Sequence, residues 1–138
     1  MKTMDDLVFL GEAQCEAALR FCESAEDLAC EANGIRGAVL PAPVAYDLLG
    51  NLKVALGYLA EVARFMPAGV AASLSDPRLA VYDRDCWTGE ARDPAVQAGL
   101  AAEHLHEILT YLSAAAEAAE DAQVALNSQG YDMVGERQ

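Results

Sequence analysis

Residues 94–126 read PAVQAGLAAEHLHEILTYLSAAAEAAEDAQVAL. Within them Ala98, Ala101, Leu105, Ile108, Leu112, Ala115, Ala119, Ala122 and Leu126 recur at alternating spacings of three and four. That spacing holds one narrow apolar seam on one side of a helix, as in coiled coils and antiparallel bundles. Glu103, Glu107, Glu117, Glu120 and Asp121 fall off the seam, so the other side is acidic. A seam of this length, much of it alanine, requires other helices close against it. Asp93-Pro94 marks its start, with Asp as cap and Pro in the first turn, and the helix ends near Asn127.

The rest of the chain supplies two more helices. A helix from about Met4 to Ala32 carries the seam Val8, Gly11, Cys15, Ala18, Cys22, Ala25, Ala29 and Ala32. Thr3 and Asp6 form an approximate capping box at its start, and Asn33-Gly34 stops it. A second helix, about 43–66, opens on Pro43. Its seam is Leu48, Leu52, Ala55, Leu59, Val62 and Met66, flanked by Leu49, Leu56 and Ala63. It is the most apolar of the three and is expected to be the most buried. Pro67 is expected to end or kink it. Residues 67–93 read as irregular, with one or two short helical turns at 68–74 and from Asp76-Pro77, then a loop from Asp83 to Arg92. Residues 132–138 are expected to fray. The expected fold is all-α, an antiparallel up-down-up bundle of three long helices in one domain over 1–138. The first and third helices both pack on the second.

Composition bounds the function. At 138 residues with 54% apolar residues but only 7% aromatics, the chain suits closely packed helices, and its length is enough for a core without metal or disulfides. The net charge of −13 disfavours nucleic-acid phosphate and anionic membranes as partners. Residues 3–33 carry eight acids against one Arg and residues 94–126 five acids with no base, while 34–93 carry seven acids and six bases. The first and last helices are therefore anionic. Met1-Lys-Thr-Met-Asp-Asp6 places acids where the apolar core of a secretory signal would begin. The longest run free of Lys, Arg, Asp and Glu is Phe65–Ser75, too short for a membrane span. Cys15 and Cys22 stand about 10 Å apart by helical rise, too far to bridge. With Cys30 and Cys86 they read as reduced core residues of a cytoplasmic protein.

Catalytic chemistry finds little footing. Glu103 and His106 form one Glu-x-x-His step, whereas di-iron bundles use that step twice with two further glutamates. Both also lie away from the seam, so a solvated helix face is the plainer reading, and no metal or cofactor is expected. The cysteines lack Cys-x-x-Cys spacing. Cys86 sits beside Trp87, but Asp83 and Asp85 disfavour its thiolate. The sequence reads as a non-enzyme with a protein partner, most simply a second copy of itself, and no small-molecule substrate is evident. The acidic faces could instead mimic nucleic-acid phosphates toward a basic protein.

Gly50 and Gly57 share one side of the second helix with Tyr46, Lys53, Val54, Glu61 and Arg64. A glycine inside a helix costs about 1 kcal/mol relative to alanine, which makes sense where another backbone approaches. Either the 67–92 segment folds over this side or a second protomer docks there. Tyr46, Gly50, Val54 and Gly57, with Trp87 and Gly89 in the loop, are the candidate interaction residues.

Two resemblances carry on short motifs. Asp47-Leu-Leu-Gly-Asn-Leu-Lys53, Val81-Tyr-Asp83, Arg92-Asp-Pro94 and Ser128-Gln-Gly-Tyr131 resemble small helical proteins encoded on actinobacterial plasmids, integrative conjugative elements and phages. That resemblance implies an accessory role in a mobile element and no particular chemistry. Trp87-Thr-Gly89 resembles the Trp-x-Gly motif at the turn of the small helical hairpins of type VII secretion. The first helix is extra to that pattern. Its tail motif, Tyr-x-x-x-Asp/Glu, is not met, since Gly135 stands at the acidic position and Glu136 comes one residue late.

Overall fold

A computed structural model describes the backbone of residues 4–34 and 39–130, and the side chains of 11–31 and 39–130. Thr3, the ends of the first seam at Val8 and Ala32, Tyr131 and the 132–138 tail lie outside those described residues. The chain is mostly helical: α1 spans Met4–Gly34, α2 Ala42–Ser75 and α3 Pro94–Leu126, with two-residue strands β1 (Asp83–Arg84) and β2 (Ala91–Arg92) between α2 and α3. It divides into two units, Met1–Leu40 and Pro41–Gln138.

The first unit contains α1. From Glu12 to Glu31 every side chain is exposed, including Leu19, Phe21 and Leu28. Cys15, Cys22 and Cys30 are exposed free thiols, as is Cys86 in the second unit. The expectation that the cysteines are core residues is therefore corrected. Among the described residues α1 is the one element of its unit, so Cys15, Cys22 and Cys30 have no second element there to bury against.

In the second unit α2 and α3 pack as an antiparallel hairpin. The start of α2 lies by the end of α3: Gln123 Nε2 donates to the Tyr46 carbonyl at 2.9 Å, and Lys53 Nζ lies 3.0 Å from Glu120 Oε1. Asp93 caps α3 as expected, accepting from Ala95 N at 2.9 Å with Pro94 in the first turn. At the head of α2 no side chain caps. The Pro41 carbonyl instead accepts from both Val44 N and Ala45 N at 3.0 Å.

Three sequence expectations change here. First, α2 does not end at Met66 but runs on through Pro67 to Ser75. Pro67 and Leu74 are half-buried on the side of Ala60 and Ala63 that meets α3, so tertiary packing carries the helix past the missing donor. Residues 68–74 are thus its last turns, not a separate short helix. Asp76-Pro77-Arg78-Leu79 is a single β-turn, closed by Leu79 N on the Asp76 carbonyl at 3.0 Å with Pro at its second position.

Second, the expected seams hold in part and the covered stripes are wider than them. On α3 Ala98, Leu105, Leu112, Ala119, Ala122 and Leu126 are half-buried or buried as expected, joined by Ala102, Leu109 and Ala116, while Ala101, Ile108 and Ala115 are exposed. On α2 Leu48, Leu52, Ala55 and Leu59 are half-buried as expected, joined by Leu49, Leu56, Ala60, Ala63 and Pro67, while Val62 and Met66 are exposed. The added residues are as apolar as the exposed ones, and periodicity alone does not choose between them.

Third, the core is thin. The buried apolar residues among those described are Ala42, Ala60, Ala63 and Ala119, and no large side chain there is fully buried. Alanine lets the backbones close up but removes little apolar surface per residue.

Candidate interaction surface

The expected loop from Asp83 to Arg92 is a small β-hairpin, with Asp83 opposite Arg92 and Arg84 opposite Ala91. Its turn is built by local side-chain chemistry. The Asp85 carboxylate accepts from Trp87 N and Thr88 N, both at 2.9 Å, and its backbone exchanges bonds with Gly89 N and the Glu90 carbonyl at 2.8 Å. Gly89 takes φ +69°, a left-handed conformation that suits glycine. The amides on Asp85, that of Thr88 first and Trp87 second, hold its carboxyl below the usual carboxylate range. Across the strands Arg92 donates to Asp83 Oδ1 through Nε at 3.1 Å and Nη2 at 2.7 Å, and that bond raises the Arg92 pKa. An Asp opening a turn that Gly closes was the available signal for this hairpin. The turn holds Trp87 out at 92% exposure, with Cys86 exposed beside it.

The two glycines of α2 turn out to differ. A Cβ on Gly50 would stand 2.8 Å from Gln123 Nε2. The bare glycine therefore leaves room for that amide to reach the Tyr46 carbonyl, one turn back on α2. Neither the 67–92 segment nor a second protomer is needed to account for Gly50: α3 itself approaches there. Gly57 is exposed with no atom within 4 Å of its Cβ position. Around Gly50 the helices form a shallow cleft of about 230 Å³ lined by Tyr46, Lys53, Glu120, Gln123, Val124 and Asn127.

On the opposite side of α2 from α3 the side chains are large and apolar. Tyr58 is 71%, Val62 56% and Phe65 66% exposed, with Val54 exposed above them. At about 100° per residue they lie roughly 160° around the helix from Ala60 and Ala63. By length and composition α2 just suffices to cross a bilayer, its best window having a mean hydropathy of 1.2; one such helix is weak grounds for a span, since a core helix passes the same test.

The histidines sit on the exposed outside of α3. His106 and Glu103 are both exposed, and His104 Nδ1 lies 3.8 Å from Glu107 Oε1. Among the described residues no three His, Cys, Asp or Glu side chains gather as a metal site would require. No protein-family model, curated protein or solved structure matches this chain.

Proposed function

We propose that this is a non-catalytic helical interaction protein that self-associates, with residues 1–138 acting as one domain. The observation that carries the proposal is the exposed apolar side of α2, Val54, Tyr58, Val62 and Phe65, on a helix whose other side already meets α3. A surface of this kind marks an interaction site on a soluble protein. Val54 on that side and Tyr46, Gly50 and Gly57 beside it remain the candidate residues on α2, with Gly57 the open position among them, and Trp87 and Gly89 the candidates at the hairpin tip.

In this proposal the helices run up, down and up, with α1 and α3 both against α2. Support comes from apolar residues left exposed beside the α2–α3 seam, Met66 of α2 and Ile108 of α3. The heptad of small residues on α1 is the kind of seam that can pack on such residues. The partner is protein, not nucleic acid, membrane or small molecule; the net charge of −13 supports the exclusion of anionic partners. On the resemblance to the actinobacterial mobile-element proteins, the role is an accessory one in the cytoplasm.

Light scattering on a sizing column, under reducing conditions and over a concentration series, tests the proposal. A dimer or larger species is expected, and a monomer at every concentration overturns self-association. Stoichiometric iron, manganese or zinc in the purified protein would overturn the non-catalytic assignment.

A second reading is favoured by one observation: Trp87 stands exposed at the join of two antiparallel helices. In that reading the protein is an exported relative of the Trp-x-Gly hairpins. It predicts export from a host with type VII secretion, abolished by Trp87→Ala or Gly89→Ala.

A further inference from the structure

We draw no further inference here: the strongest candidate, the exposed apolar face of α2 formed by Val54, Tyr58, Val62 and Phe65, carries nothing beyond the proposal above, because nothing in the structure shows what covers it.

Discussion

The two sides of α2 invert the usual relation between size and burial. The side on α3 is deepest at Ala42, Ala60 and Ala63, while Val54, Tyr58, Val62 and Phe65 stand in solvent on the other. The inversion follows from how closely two helices approach. Alanine rows let backbones come together, so methyl groups are covered completely, but each removes little apolar area. A large side chain covered in full contributes about 1.5–3 kcal/mol, and on α2 Tyr58 and Phe65 lie on the uncovered side. The hairpin is thus held by close approach along its seam and by two polar contacts at its open end, Gln123 on Tyr46 and Lys53 on Glu120. The salt bridge is surface-exposed and worth at most about 1 kcal/mol.

The sharpest way to break this comparison is to enlarge the close side. Ala63→Leu puts three more carbons where Ala63 is 5% exposed, and overpacking of this kind costs about 1–3 kcal/mol. Thermal unfolding by circular dichroism should show a lower midpoint; a raised one would mean that the helices are not in close approach there. Next in size is Gly57→Ala, in the open. With room for a Cβ and a helical backbone, it should gain about 0.5–1 kcal/mol in urea unfolding. Gly50→Ala should come out near zero by the same measurement. Its propensity gain is offset by pushing Gln123 off the Tyr46 carbonyl, a hydrogen bond worth about 0.5–1.5 kcal/mol. Equal gains at the two glycines would show that Gln123 does not engage Tyr46 in solution.

The smallest effect lies off both sides, at the join. The Arg78 side chain, and then its amide, hydrogen-bond to Asp76 and lower its pKa from 3.8 to about 2. A carboxyl lowered on folding adds stability above its unfolded pKa and loses it as pH falls through the folded one. The contribution should therefore be present above about pH 4 and fade toward pH 2. Asp76→Asn should flatten that part of a stability-against-pH curve, and an unchanged acid limb would show that the turn is open in solution.

How far the sequence could be read varied with the range of the forces involved. Asp93-Pro94 announced the start of α3 because a cap is local chemistry between neighbours. The small hairpin was equally local, with Asp85 and Gly89 as its signals, yet two-residue strands leave no alternation to detect. Pro67 misled because the cost of a proline inside a helix is local while the packing that overcame it, Pro67 and Leu74 against α3, comes from residues far along the chain. The glycines misled in the same way. A glycine in a helix announces that something comes close, but at Gly50 the visitor was Gln123, seventy-three residues on, and at Gly57 the position is open.

The sequence by itself determined that the chain is helical, that α3 starts at Pro94, and that its faces divide into apolar and acidic, because propensity, capping and periodicity act within a few turns. Only the tertiary structure decided which members of each apolar stripe are covered and which stay exposed, that α2 continues past Pro67, and that Tyr58 and Phe65 remain outside. Those outcomes depend on how closely and at what rotation two helices pack, a distance and an angle that no single helix encodes.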